Sequence, residues 1–363
     1  MSLSSARAKI LVAGSWLWPW YHEACARALE SLGYTVERFG WRAVFYRDGL
    51  VQGQPRYRSR WAALQNRLLF GPALRRINAQ LIERAAQFKP DLIWLYNCTH
   101  VFPRTVETLR RLIPSAVVAQ YSNDNPFGTH ARPDYFRHLK KSIPLCDIHF
   151  VYRHSNVQEF VHAGATRVHL LRSYYVPEED HRVVLTAADE GYRSDVVFVG
   201  HYEPDFRLNA MNALAERGYR LNLFGAGWND SVRPVDDSSL QSCFPVRPVL
   251  GEEYRKAVSG AKIALSFLSK RNADTYTRRN FQIPAMGAFM LSEYSDDLAS
   301  LFEEGTDAEY FRSIPELLDK TEYYLKHDAS RERIARRGYE RVVRDGHDVT
   351  SRMKQFGDIV FEQ

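Results

Sequence analysis

Asp274-Thr-Tyr-Thr-Arg278-Arg279-Asn280-Phe281-Gln282-Ile283-Pro284-Ala285-Met286-Gly287-Ala288-Phe289-Met290-Leu291-Ser292-Glu293 reads as a polar loop, a short helix, a glycine turn and a buried strand in succession. Two adjacent arginines open the helix, where backbone N–H groups lack intrahelical acceptors and the helix dipole is positive; this combination suits a diphosphate. Gln282 lies one turn farther on, within reach of a ribose hydroxyl. A plainer account has Phe281, Ile283, Ala285 and Met286 packing an ordinary helix and both arginines solvated.

Working outward, short apolar runs alternate with amphipathic helical patterns in both directions. In the N-terminal half the runs are Ile10 to Ala13, Tyr34 to Phe39, Leu92 to Tyr96, Ala116 to Tyr121, Ile148 to Tyr152 and Val168 to Leu171. Between the first two, Ala24, Ala28, Leu29 and Leu32 share one helix face and Gly33 closes it. After a polar connection, Pro177 to Arg193, the pattern restarts with strands at 195–199, 219–224, 262–267 and 289–292. Alternation of this kind predicts an α/β protein of two Rossmann-like, doubly wound parallel-sheet domains. Ligands of such sheets lie beyond the carboxyl ends of the strands, so a central cleft faced by both domains is the expected active site. Residues 1–178 form the first domain and 179–345 the second. Three helical segments follow Ser313, with Pro315 near a first turn and Gly338 and Gly346 near the ends of others. The last, 346–363, is expected to return to the first domain.

The 363 residues suit two cores, and 45% hydrophobic with 25% charged residues is a globular balance. No run of eighteen apolar residues occurs, and Ser15 to Trp20 is no clean cleavage region, so a cytoplasmic protein, at most peripheral on the inner membrane face, is expected. Cys25, Cys98, Cys146 and Cys243 are scattered, as buried free thiols would be. A net charge of +6 favours anionic partners.

At the quoted segment the sequence resembles CgeB-like (spore-maturation-protein-type) glycosyltransferases of the group 1 GT-B class. The resemblance continues through Asp297-Leu-Ala-Ser-Leu-Phe-Glu303, Tyr310-Phe311, Glu322-Tyr-Tyr-Leu-Lys-His327 and Arg331-Glu-Arg-Ile-Ala-Arg-Arg-Gly338. It implies a nucleotide diphosphate sugar (UDP, GDP or TDP) as co-substrate in the C-terminal half and an acceptor in the N-terminal half. In that class two glutamates seven residues apart serve the donor. Counted back from Gly287, their positions are held here by Asp274 and Gln282. The Gln282 amide can bond a diol but lacks the charge that makes such bonds roughly twice as strong.

Two further turns point to the donor. Val197-Phe-Val-Gly200 leads through a glycine turn to Arg207, a candidate diphosphate contact or an exposed helix cation, and Phe224-Gly225-Ala226-Gly227-Trp228 permits a tight turn with an indole over a base or sugar. The full glycine fingerprint of a dinucleotide site is missing.

On the N-terminal side, Gly14-Ser15-Trp16 follows the first strand and is expected at the acceptor cleft, although a simple strand-to-helix turn accounts for it equally. Tyr121-Ser-Asn-Asp124-Asn-Pro126 follows another strand. If transfer inverts the anomeric centre, a carboxylate or histidine must take the acceptor proton, and Asp124 and His130 are the candidates; if it retains, no strong base is required. A turn-forming Asp is the alternative for Asp124. Neither an Asp-x-Asp pair nor a histidine cluster calls for a metal.

Arg56, Arg58, Arg60, Arg67, Arg75 and Arg76 form a run without acids, interleaved with Trp61, Leu68, Leu69 and Phe70. It fits peripheral contact with an anionic membrane near a lipid-linked acceptor, an anionic glycan, or a solvated face over a core helix. No nucleic-acid motif accompanies it. The expected activity is sugar transfer to a glycan, lipid-linked or small-molecule acceptor. A binding scaffold on the same frame and a two-Rossmann nucleotide-sugar epimerase are the rivals.

Overall fold

The computed structural model describes residues 8–51, 54–231 and 239–361. The chain divides into two compact units, Met1–Ser173 with Val349–Gln363, and Tyr174–Asp348.

The first unit is built on a parallel sheet of six strands: β1 (Lys9–Gly14), β2 (Thr35–Gly40), β5 (Leu92–Tyr96), β6 (Val117–Ser122), β7 (Ile148–Val151) and β8 (Val168–Leu170), in the order β2-β1-β5-β6-β7-β8. Ile10 pairs with Leu92, and Leu92 in turn with Val117. Every residue of β5, Leu-Ile-Trp-Leu-Tyr, is buried. A continuous apolar run of this kind is what a parallel strand covered on both faces requires. The helix His22–Ser31 follows β1 and buries Ala24, Cys25, Ala28 and Leu29, and Gly33 ends it at φ 92°. The helix Val349–Phe361 packs in this same unit: the Phe356 ring lies tilted against Trp94 at 4.4 Å and against Phe150 at 4.7 Å. Gly357 leaves room for the Tyr34 hydroxyl, with which any β-carbon would collide.

Between β2 and β5 the chain makes an excursion that the periodicity did not reveal, an antiparallel hairpin of β3 (Tyr46–Val51) and β4 (Gln54–Tyr57) followed by the helices Arg60–Leu68 and Pro72–Phe88. Its strands, Tyr-Arg-Asp-Gly-Leu-Val and Gln-Pro-Arg-Tyr, are mostly polar and lack the continuous apolar run that marks β5.

The second unit carries five parallel strands, β9 (Ser194–Val199), β10 (Leu221–Phe224), β11 (Ala261–Ser266), β12 (Met290–Glu293) and β13 (Glu309–Phe311), ordered β10-β9-β11-β12-β13. Its core gathers Val196, Phe198, Met211, Leu265, Phe267, Leu291, Phe311 and Ile334. Gly338 is not near a helix end. It lies inside the helix Asp328–Arg344, where a β-carbon would approach the Asp307 carbonyl to 2.5 Å; close packing rather than termination explains the glycine.

Among the described residues, no helix is long and apolar enough to cross a membrane, and no three His, Cys, Asp or Glu side chains gather as metal ligands. All four cysteines are free. Burial pushes the Cys146 thiol up to about 12 and keeps it protonated.

Candidate functional site

In the second unit β9 is flanked by β10 on one side and β11 on the other, which makes the carboxyl ends of β9 and β11 the topological switch point of the sheet. The turns there are held shut by glycines. A β-carbon on Gly200 would meet the Phe198 ring at 2.5 Å, and one on Gly225, whose φ is 147°, would collide with the Gly200 carbonyl. The two turns are laced together: Gly200 N–H donates to Phe224 O at 2.8 Å, and Tyr202 N–H to Ala226 O at 3.0 Å. Gly227 completes the second turn at φ 84°. Trp228 does not cover a ligand. Its indole is fully buried, donates to Gly200 O at 2.9 Å and packs edge-on to Tyr202 at 5.3 Å, because a large ring is needed to seal the crossing of the two turns.

Arg207 is only 2% exposed. Its Nε and one terminal nitrogen each donate to Asp205 at 2.8 Å, the other terminal nitrogen donates to His201 O at 2.8 Å, and Glu203 lies at 3.5 Å. A guanidinium so engaged shapes the turn after β9 and has no face left for a diphosphate. Sequence alone could not distinguish an exposed helix cation from one folded back onto Asp205, two residues earlier.

The quoted loop and helix split into scaffold and contact residues. Asn280 has no exposed surface. Its amide nitrogen donates to Ser266 Oγ at 3.1 Å and Ser292 Oγ at 3.0 Å, and its oxygen accepts from Thr277 N–H at 2.7 Å. It therefore fastens the loop to the ends of β11 and β12, and a ligand cannot reach it while the loop is in place. Arg279 is half-buried; it donates to Phe267 O at 3.2 Å and lies 5.9 Å from the Phe198 ring centroid, so its charge sits at the switch point. Lys270, exposed in the loop after β11, pairs with the Glu293 carboxylate at the end of β12, whose other oxygen accepts from Leu268 N–H at 2.9 Å. Asp274 is half-buried in a turn that Ala273 opens at φ 52°. Gly287 turns the chain at φ 63° into β12.

Arg278 and Gln282 meet on Asp180, a buried carboxylate from the polar connection. Arg278 donates to one oxygen at 2.9 Å, Gln282 to the other at 2.7 Å, and Val176 N–H adds a third bond at 2.8 Å. Tyr254 donates to the Gln282 carbonyl at 3.3 Å, and burial holds that phenol above its ordinary range, hence neutral. Asp180 escaped the sequence reading because Pro177-Glu-Glu-Asp180 resembles an ordinary solvated turn. Only its partners, about a hundred residues away, reveal its role.

In the first unit, the space left by Gly14 is filled by the His22 ring, with which a β-carbon would collide. No room remains there for a ligand. His22 is buried against Tyr96 at 4.3 Å and Trp16 at 5.5 Å, and burial pulls its pKa down to about 4. Trp16 adopts φ 54° and donates its indole N–H to Phe39 O at 2.8 Å, while Ser15 beside it is half-buried. Trp18 and Trp20 stack at 5.0 Å in the same loop.

Asp124 stands half-buried after β6 and accepts from Asn97 Nδ2, at the end of β5, at 2.8 Å. Ser122 Oγ donates to the Asp124 carbonyl at 2.8 Å, so the residue both closes a turn and presents a carboxylate. Burial, and then the Asp124 charge, raise the pKa of the neighbouring Tyr135. His130 lies exposed farther along the loop.

Residues 207–358 match a family model described as glycosyl transferase-like. No curated protein matches the chain in sequence. Among solved structures the chain is similar to sucrose-phosphate synthase from Thermosynechococcus elongatus, at 12% identity and TM-score 0.67 over 97% of this chain and 98% of that one. It is similar to HepE of Anabaena in complex with UDP and glucose, at 12% identity and TM-score 0.67 over 98% and 100%. A putative UDP-N-acetylglucosamine 2-epimerase from Listeria monocytogenes shares the fold at 10% identity and TM-score 0.57 over 97% and 95%. The architecture is therefore GT-B, two Rossmann-like domains in one chain.

Proposed function

We propose that the chain transfers a glycosyl group from a nucleotide diphosphate sugar to an acceptor hydroxyl. The observation that carries this reading is Arg279 at the switch point of the second sheet, on the short helix whose Arg278 and Gln282 are anchored to Asp180, with Lys270 in the loop after β11, all four within the segment that matches the glycosyl transferase-like model. The UDP bound by HepE supports uridine as the first donor to test, ahead of guanosine and thymidine. The segment 274–293 supports a CgeB-like relationship within that class.

In the transfer, the acceptor oxygen bonds to the anomeric carbon as the bond from that carbon to the diphosphate oxygen breaks. The nucleoside diphosphate leaves with two electrons and the acceptor proton goes to a base. Charge thus develops in two places, an oxocarbenium-like sugar and a departing diphosphate. Arg279 and Lys270 stabilise the second. Asp124 is the proposed acceptor of the proton in an inverting reaction, with His130 as the other candidate. The acceptor is a glycan, a lipid-linked saccharide or a small molecule.

The test is a thermal-shift series with nucleoside diphosphates and their sugars, followed by acceptor-dependent nucleotide release. A donor at about one hundred times its Kd stabilises by about 2.7 kcal/mol, which moves Tm by several degrees. Absence of a shift with every nucleotide would remove the donor site. Conversion of the donor sugar without any acceptor would replace transfer by epimerisation, and binding without turnover on any acceptor would leave a scaffold.

A further inference from the structure

The helix Arg60–Leu68 is turned inside out. Its exposed apolar residues, Trp61 at 59%, Leu64 at 44% and Leu68 at 51%, are spaced by three and four and so share one face, and Phe70 follows at 62%. The side that packs onto the protein is small and polar: Ala62 and Gln65 are buried. Gln65 accepts from Ala73 N–H at 2.8 Å, and Asn66 is held by the Tyr46 and Tyr57 hydroxyls and by His100 at 2.7 Å. Hydrogen bonds fix the helix from within and leave its hydrophobic face to solvent. The turn after it is equally firm, with Arg137 donating to Leu68 O at 2.6 Å and Leu69 O at 2.8 Å.

Arg60 and Arg67 lie on this helix and Arg75 over Phe70; Arg56, Arg58 and Arg76 stand in the adjoining segments, all six are exposed, and no acidic residue occurs between Gly49 and Ile82. Among the described residues none of the six forms an ion pair with a carboxylate. Arg58 is held by the Ala43 and Tyr46 carbonyls, and Arg75 lies over the Phe70 ring at 5.8 Å.

We infer that this face of the first unit docks onto an anionic lipid surface, with Trp61, Leu64, Leu68 and Phe70 entering the headgroup boundary and the arginines pairing with lipid phosphates. Three observations select the occupant. A ridge of two leucines with a tryptophan and a phenylalanine, ringed by cations, has the chemistry of an interfacial helix. A second copy of the chain placed on the same face would bring two sets of six arginines together and be repelled. A nucleic acid would engage the arginines and stack on the rings, but it leaves Leu64 and Leu68 without a counterpart. The inference does not depend on the donor site, whose residues all belong to the other unit.

The experiment is co-sedimentation of the full chain with vesicles of phosphatidylcholine alone and of phosphatidylcholine mixed with phosphatidylglycerol, across a salt series. Binding to the mixed vesicles, weakened by salt, is the expected result, with little binding to the neutral ones. Each arginine contributes about five-fold, so Arg67→Glu with Arg75→Glu should lose about 25-fold or more. Leu64→Ser with Leu68→Ser should weaken binding while Tm and the nucleotide-induced shift stay unchanged. Wild-type protein that stays in the supernatant with anionic vesicles overturns the inference. So does equal binding by the variants, or a concentration-dependent dimer that Leu64→Ser dissolves.

Discussion

Gln282 donates its amide to the buried carboxylate of Asp180 at 2.7 Å, and that carboxylate also holds Arg278 at 2.9 Å. A glutamate at position 282 would face Asp180 with a second negative charge. The amide is thus the chemically matched residue here, and Asp180 supplies the charge that Gln282 lacks. Gln282→Glu is expected to destabilise the second unit by about 1–3 kcal/mol at neutral pH. Repulsion raises one folded-state carboxyl pKa above its unfolded value. The variant's deficit is therefore smallest below the unfolded carboxylate pKa and grows as pH rises through the folded one. Gln282→Glu combined with Asp180→Asn restores a single carboxylate and should recover most of the loss. Chemical denaturation at two pH values measures both, and a single variant as stable as the parent at neutral pH would contradict the pairing.

The arginines on the second unit should separate by phenotype. Arg207→Ala leaves Asp205 and Glu203 without their buried partner, which costs about 3–5 kcal/mol, so loss of stability comes first. Arg279→Ala removes the bond to the Phe267 main-chain carbonyl, and the loss of that bond should cost about 1 kcal/mol in stability. It should, however, abolish the thermal shift produced by a nucleotide sugar. Urea denaturation and the ligand-induced shift, measured on both variants, test the division. Reversed phenotypes would move the diphosphate contact to Arg207.

Most strands of the two sheets were legible because parallel strands buried on two faces are commonly written as apolar runs, as Leu92 to Tyr96 shows, whereas the three-residue β13 is too short for such a run and was marked only through the family resemblance. The loop-helix-strand order of 274–293 was legible for the same reason, with Gly287 punctuating it. Roles within that segment were not. Asn280, Arg279 and Arg278 are consecutive polar residues, yet one is a buried staple, one lies at the switch point and one is tied to Asp180. Those differences arise from partners remote in sequence. The spaces beside Gly14 and Gly338 looked like substrate room and a helix end, but a histidine ring and a carbonyl oxygen fill them. A glycine announces close approach without naming what approaches.

His22 also gives the acid limb of stability a definite shape. Its pKa is about 4 in the folded chain, lowered by burial, against about 6.5 when exposed. The unfolded chain therefore binds the extra proton between those values. The contribution is complete above about pH 6.5 and lost as pH falls toward about 4, with a slope of up to about 1.4 kcal/mol per pH unit. His149, buried and likewise lowered to about 4, acts in the same window. His22→Gln should remove about one proton's share of this slope while the His149 share persists. Stability measured by denaturant from pH 7 to pH 4 reads the difference, and an unchanged slope would mean that His22 is already solvated.

Asp124 offers the sharpest test of the chemistry, because its structural and chemical roles use different atoms. Its main-chain carbonyl closes the turn by accepting from Ser122, whereas its carboxylate accepts from Asn97. Asp124→Asn keeps the first and, by flipping its amide, retains an acceptor for the second, so the fold should be nearly unaffected. What it removes is the capacity to take a proton. For an inverting transfer with Asp124 as base, acceptor-dependent turnover should fall by about 100- to 10,000-fold, while the nucleotide-sugar thermal shift on the other unit stays the same. A retaining transfer needs no such base and would lose little, and the product's anomeric configuration, read by NMR, must then agree. An inverted product formed at full rate by Asp124→Asn would exclude Asp124 as the base and leave His130 as the residue to replace next.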